Sequence, residues 1–236
     1  MKNILSLLVL PGMALATSAS AMDMDHEIFT SIKIDQLEHR WQSGDDLVAA
    51  KGALQIGTGE QKIVLKVESE YLRDAHTFDR AEFHLRYQHI ISDFFDAYVG
   101  LRHDVKPDPA RSYATFGITG LAPHWFEIDV AGFVSETGAA SARLDVSYEI
   151  PITQKIYLEP DMELDASLKN DAAIDVGRGF SKLETGLRLR YEISRKIAPY
   201  IGVNWERRLG ETSRLARAAG EDPDLLSAVI GIKLMF

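Results

Sequence analysis

The 236 residues carry a formal net charge of −9 and a mean hydropathy of −0.10, a length that suits one domain. No apolar run approaches the roughly eighteen residues of a transmembrane helix, which excludes an α-helical membrane protein. The absence of cysteine excludes a disulfide scaffold and a zinc–cysteine site. The excess of acidic residues argues against nucleic acid as a partner, because nucleic-acid-binding faces are basic.

The first residues have the pattern of a secretory signal. Lys2 precedes an apolar run over residues 4–10, and Ala19, Ser20 and Ala21 form a small-residue cleavage pattern. The apolar run is too short to cross a bilayer as a helix, which takes about twenty residues. We therefore predict a signal peptide over residues 1–21 and a mature chain that begins at Met22.

A short segment of metal-binding side chains follows. Residues 22–27 form an N-terminal tail that contains Met22, Met24 and His26. Thioethers are soft ligands that select Cu(I), whereas imidazole serves both oxidation states of copper. The tail thus predicts a small copper site, with chance composition of an unstructured terminus as the alternative.

Beyond residue 28 the chain alternates apolar and polar residues with the two-residue period of β-strands. The final segment, 228–236, alternates in the same way and ends on an aromatic residue. We predict an all-β fold, a single antiparallel transmembrane β-barrel of about 12 strands over residues 28–236. The predicted strands lie near residues 28–41, 46–57, 61–72, 80–91, 94–104, 112–121, 124–135, 140–150, 154–166, 182–193, 197–209 and 225–236.

The connections distinguish a barrel from a soluble sandwich, whose strands alternate too. Every second connection is a short turn, and the intervening loops are mostly longer, up to 167–181 and 210–224. Short periplasmic turns and longer external loops are typical of outer-membrane barrels. An even strand number places both termini in the periplasm and the barrel in the lipid of the outer membrane. The loop 210–224 is a candidate plug for the lumen.

The polar register of each strand is expected to line the lumen. The inward set predicted from alternation contains more acids than bases, so we expect an acidic lumen crossed by carboxylate–arginine networks, narrow because the barrel has about twelve strands. Its members include Lys66, Glu68, Glu70, Glu82, His84, Arg86, Arg102, Asp104, Asp129, Arg143, Asp145, Glu159, Asp161, Glu163, Glu184, Arg188, Arg190 and Glu206.

Several blocks of sequence resemble one known family. These are residues 106–111, 120–127, 187–193 and 198–207, together with Ala216-Arg217 and Gly220-Glu221-Asp222. They are similar to the copper resistance protein B family of outer-membrane proteins, and the resemblance runs from about residue 27 to the C-terminus. It implies a copper-tolerance protein of a Gram-negative outer membrane, with a periplasmic multicopper oxidase as partner and copper ions, Cu(I) or Cu(II), as cargo.

The chain departs from the family in its tail. Family members commonly carry a long Met- and His-rich N-terminal segment, of which residues 22–26 are at most a remnant. Copper handling would then depend on the barrel, where His84, Glu82 and Glu70 on neighbouring predicted strands are the candidate ligands. His39 is a further candidate for the lumen, whereas His103 is expected at the lipid interface.

Three classes of function can be weighed against these patterns. The first is an outer-membrane copper resistance protein that binds or conducts copper ions for export or detoxification from the periplasm. The alternative is a structural or small-solute barrel without metal binding. We do not expect an enzyme, because no histidine is followed two residues later by serine, the spacing that a lipid-facing Ser–His pair on one strand requires.

Overall fold

The structure is a computed structural model that describes residues 27–236. The predicted signal peptide, Met22, Met24 and His26 lie outside the described residues.

Nearly all of the described chain is β-structure, as the alternation predicts. The strands are β1 (Phe29–Trp41), β2 (Leu47–Gly57), β3 (Gln61–Leu72), β4 (Thr77–Ser92), β5 (Phe95–Lys106), β6 (Arg111–Ala122), β7 (Phe126–Ser135), β8 (Ala140–Ser147), β9 (Ile150–Pro151), β10 (Ile156–Ser167), β11 (Gly179–Tyr191), β12 (Ile197–Arg208) and β13 (Asp224–Met235). A 3₁₀ turn spans Pro123–Trp125, and helix α1 spans Gly210–Ala219. None of the described helices is long and apolar enough to cross a membrane.

The strands form one closed antiparallel sheet. Apart from β8, which pairs with β10, each strand pairs with the next along the chain, and β1 pairs with β13 to close the barrel. The short β9 and the longer β8 both pair with β10, so they are two segments of one barrel strand. The predicted barrel of twelve strands is confirmed.

The two faces of the sheet have opposite chemistry. Outward side chains such as Val99 and Leu101 are exposed hydrophobic residues, while Tyr98 and Asp104 on the same strand point inward and are buried. A closed barrel pairs every backbone N–H and C=O between strands, which lipid requires. The apolar outer surface is therefore the surface that contacts the outer-membrane lipid.

The two ends of the barrel differ, and the first and last described residues lie at the same end. The N–H of Ile32 donates to the carbonyl oxygen of Phe236 (2.8 Å). Short turns join the strands at this periplasmic end, whereas segments 168–178 and 209–223 extend from the other, external end. The loop after β12 forms α1, which packs against β11 and β12 with Thr212 and Ala216 buried. It covers part of the external mouth and does not extend down the lumen.

Candidate metal-binding lumen

A layer of buried ion pairs crosses the lumen in its external half. We call it the ion-pair belt, and it consists of Arg40, Lys51, Glu68, Arg80, Glu82, Arg143, Glu163, Lys182 and Glu184. Every member lies on the inward register of its strand, where alternation places one polar side chain at every second position. The belt connects seven strands, which form two groups of neighbours on opposite sides of the barrel, β1–β4 and β8, β10 and β11.

Arg80 occupies the centre of the belt. Its guanidinium donates to Glu82 (2.6 Å), Glu68 (2.8 Å) and Glu163 (3.1 Å). Glu163 belongs to β10, on the far side of the barrel from Arg80 on β4. The planar guanidinium, with five N–H donors, suits this bridging of several carboxylates.

Two lysines extend the belt to the remaining strands. Lys51 on β2 reaches Glu163 at 2.9 Å, and Lys182 on β11 lies 3.2 Å from both Glu163 and Glu184. Arg40 on β1 closes the belt by contacting Glu184 at 2.8 Å. The lumen is thus closed by side chains at this level.

The belt separates two cavities. The larger, of about 750 Å³, opens toward the periplasmic turns, and the smaller, of about 300 Å³, lies under the external loops. In the described part of the chain no residue lines both cavities. Belt residues line each one, Glu68 and Lys51 the periplasmic cavity and Arg80 and Arg143 the external cavity.

Both cavities have more acidic than basic lining residues. Twelve carboxylates and seven lysine or arginine side chains line the periplasmic cavity, and nine carboxylates and five such side chains line the external one. Several inward bases were not in the predicted set, among them Arg40, Lys51 and Arg80. They neutralise the carboxylates of the belt, so the uncompensated acids lie in the cavities on either side.

The structure separates the three predicted barrel ligands. His84 and Glu82 are in contact, with 3.1 Å between the imidazole Nε2 and a carboxylate oxygen. Glu70 does not join them, because the strand register places it opposite Arg80, while Lys66 is the residue opposite His84. Among residues 27–236 no group of three or more His, Cys, Asp or Glu side chains is close enough to hold a metal ion.

His84 is packed into the wall rather than into either cavity. Its side chain is 1% exposed, its ring meets that of Phe133 edge to face, and its Nδ1 has no hydrogen-bond partner. Glu82 also binds Arg80, Arg102 and Arg143. Three guanidinium groups thus already neutralise the carboxylate that His84 contacts.

The other two histidines considered lie on the outer face. His39 alternates with the buried Glu38 and Arg40, and its Nε2 lies 3.4 Å from Asp46 at the external rim. The expectation that His39 lines the lumen is wrong, because a bulge between Ile34 and Gln36 shifts the register of β1. His103 points outward, as expected, with its Nδ1 3.0 Å from the hydroxyl of Ser112 on β6.

Two external segments close over the smaller cavity. The segment 168–178 lines that cavity, and its Asp171 forms an ion pair with Arg111 on β6 at 3.2 Å. The Gly177 N–H donates to the hydroxyl of Thr212 in α1 at 2.9 Å. Together they form a lid that joins opposite sides of the mouth.

Aromatic side chains in the lumen were not predicted from the sequence. Phe133 is 2% exposed on the inward face of β7, and the Arg102 guanidinium lies 4.6 Å from its ring centroid. Arg86 stacks in the same way on Tyr98, at 4.3 Å. The inward position of Phe133 could have been predicted from the strict alternation of β7, because Asp129, Ala131 and Phe133 share one face.

Comparison with known proteins identifies the family. The family model described as "Copper resistance protein B precursor (CopB)" matches residues 28–236. The chain belongs to the copper resistance protein B family. It is 36% identical over 214 residues to the copper resistance protein B of Escherichia coli, covering 90% of this chain and 71% of that protein. It is 35% identical to the copper resistance protein B homolog of Pseudomonas syringae pv. tomato, with the same coverage.

Solved structures share the fold of this copper resistance protein B family member. The NanC porin superposes with a TM-score of 0.57 at 13% identity, covering 86% of this chain and 98% of the porin. The KdgM porin, solved with a disordered oligogalacturonate, gives 0.50 at 12% identity, covering 87% and 99%. These likenesses establish an outer-membrane β-barrel and not its cargo.

Proposed function

We propose that this chain is an outer-membrane copper resistance barrel that takes copper ions from the periplasm, binds them in its lumen and releases them outward when the ion-pair belt opens. The observation that carries the proposal is the large, net acidic cavity at the periplasmic end of a barrel of this family. Carboxylates inside low-dielectric walls concentrate cations at the mouth. Copper(II) binds oxygen and nitrogen donors more tightly than the other divalent first-row metals do.

The tail would supply the first contact with copper. Met22, Met24 and His26 offer soft thioether and imidazole donors, and β1 begins at the periplasmic end, so the tail is attached beside the mouth of the larger cavity. Its position suits delivery from a periplasmic multicopper oxidase, the partner that the family resemblance implies.

Titration of the purified chain with Cu(I) and Cu(II), beside a variant that lacks residues 22–26, tests binding. The proposal expects copper binding by the full chain, and lower copper tolerance of cells from which the gene is deleted. Absence of binding to both ions together with unchanged tolerance would contradict it. Copper flux into liposomes that contain the protein tests the release step separately.

The second candidate is a structural barrel without metal transport, and the belt is the observation that favours it. Side chains that cross the lumen from seven strands close it in its external half. This candidate predicts no copper binding and no copper-dependent phenotype, so the same titration and tolerance measurements separate the two functions.

A further inference from the structure

Among the described carboxylates that line the external cavity, Glu70 and Glu206 are the two that are not exposed and that accept no hydrogen bond from a basic side chain. The cavity lies on the outward side of the ion-pair belt and below the lid. The five basic residues that line this cavity all form ion pairs with acids other than Glu206. The pairs are Arg80 with Glu68, Glu82 and Glu163; Arg102 with Glu82 and Asp104; Arg143 with Glu82 and Asp165; Lys182 with Glu163 and Glu184; and Arg208 with Glu221. Glu70, whose Oε1 lies 3.8 Å from Nη1 of Arg80, and Glu206 receive no such hydrogen bond. The other two lining acids without a basic partner, Asp79 and Asp175, are exposed to solvent.

Glu70 is the more deeply buried of these two carboxylates. It is 6% exposed, it lines the cavity, and its Oε1 has no hydrogen-bond donor in the described structure. The nearest basic atom is Nη1 of Arg80 at 3.8 Å, beyond hydrogen-bond distance. A buried carboxylate oxygen without a donor is costly, since burial removes the water that would otherwise solvate it. A cation bound in the cavity would remove that cost.

Glu206 provides the second carboxylate. It lines the same cavity and lies directly opposite Glu184 in the β11–β12 register. Lys182 and Arg208, the bases nearest to it in the register, contact Glu184 and Glu221 instead. In the part of the chain that the structure describes, no basic side chain comes within 4 Å of the Glu206 carboxylate.

The donor set specifies which form of copper the cavity would take. The described residues that line it include no histidine and no methionine, and the chain has no cysteine. Cu(I) prefers soft sulfur donors, whereas carboxylate and water oxygens suit harder divalent ions, among which Cu(II) binds most tightly. We infer that Glu70 and Glu206 form a binding site for Cu(II), completed by water, on the external side of the belt.

This inference rests on the proposed function, because it takes copper as the cargo. It adds a second site and an oxidation state, because the oxygen-lined external cavity suits Cu(II) whereas the soft tail suits Cu(I). The ion that reaches this cavity enters the lumen as Cu(II), after any Cu(I) on the tail has given up one electron to the periplasmic multicopper oxidase. An ion bound there lies on the external side of the belt, and the lid separates it from the cell exterior.

Electron paramagnetic resonance of Cu(II) in the purified chain lacking residues 22–26 tests the site. The inference expects one bound Cu(II) with a signal of oxygen ligands only, and at least tenfold weaker binding in the Glu70→Gln, Glu206→Gln double variant. Glu60→Gln, in an exposed periplasmic turn, is the matched control and should bind as the parent does. Mobility on unheated gels and circular dichroism verify that each variant is folded.

Three results would overturn the inference. They are unchanged affinity in the folded double variant, nitrogen hyperfine splitting that indicates histidine ligation, and displacement of the copper by millimolar Mg²⁺. If the full chain binds copper but the double variant is unaffected, only this site fails. If the full chain binds no copper at all, the proposed function fails with it.

Discussion

At the scale of single residues, the interior depends on arginines that each serve several carboxylates. Arg80 contacts three glutamates and Arg188 contacts Glu38 and Asp161. Such buried pairs cost desolvation energy when they form, so their net contribution to stability is small, but removal of one partner leaves buried charge uncompensated. The arginines are therefore the residues whose loss the barrel tolerates least.

Replacement of Arg80 by methionine tests this dependence. The change removes one of the two guanidinium groups that Glu68, Glu82 and Glu163 share, the other being that of Arg143, and we expect the free energy of unfolding to fall by about 3–5 kcal/mol. Urea unfolding of the detergent-folded barrel measures it. Lys155→Met, in an exposed turn, is the control and should change stability by less than about 0.5 kcal/mol. Equal stabilities of the two variants would contradict the account.

At the scale of elements, the lid depends on few contacts. The segment 168–178 is held to β6 through Arg111 and Asp171 and to α1 through Gly177 and Thr212. Helix α1 ends at Gly220, which adopts the left-handed conformation (φ 82°) that glycine permits and donates its N–H to the helix carbonyls. The strands beneath are fixed by complete hydrogen-bond ladders, so the lid is the part of the external end with the least support.

Loss of the Arg111–Asp171 ion pair should loosen the lid without unfolding the barrel. We expect Arg111→Gln to raise the rate of proteinase K cleavage within residues 168–178 severalfold, because the segment would be held on one side only. Mass spectrometry of timed digests locates the cleavage. Arg73→Gln, an exposed arginine of a different external loop, should leave the rate unchanged. Equal cleavage in the Arg111 variant and the parent would show that the ion pair does not hold the lid.

At the scale of the whole molecule, the barrel is closed by the ion-pair belt, and the cavities on both sides of the belt are acidic. Alternation predicted the strands, the number twelve and the shared periplasmic position of the termini, because each depends on local periodicity and connection length. Alternation could not predict which residues meet across the lumen, since that depends on strand tilt and stagger around the closed sheet. Arg80 and Glu163 are 83 positions apart, and only closure brings them together.

The register of individual strands was predictable only where they run without bulges. On β4, Glu82, His84 and Arg86 lie between the register shifts near the two ends of the strand, and they face inward as expected. On β1 the bulge after Ile34 exchanges the two faces, so that Glu38 and Arg40 line the lumen in place of His39. Glu70 was expected beside His84, but the β3–β4 register places it opposite Arg80.

The closed belt predicts low ion conductance. In planar bilayers the parent protein should show small conductance, and the Arg80→Gln, Glu163→Gln double variant should show several times more, because it removes cross-lumen contacts without altering the net charge. The Lys62→Gln, Asp96→Asn variant is the matched control, since it removes a lumen pair at 2.6 Å near the periplasmic end and outside the belt. Equal conductance of the two variants would show that the belt is not the barrier.

Anomalous scattering at the copper edge from crystals soaked in Cu(II) tests the central claim, that copper occupies this lumen, most directly. The account predicts a peak in the external cavity beside Glu70 and Glu206, and its loss in crystals of the Glu70→Gln, Glu206→Gln variant. A map with no copper in either cavity, or with peaks only on the outer surface, would contradict it.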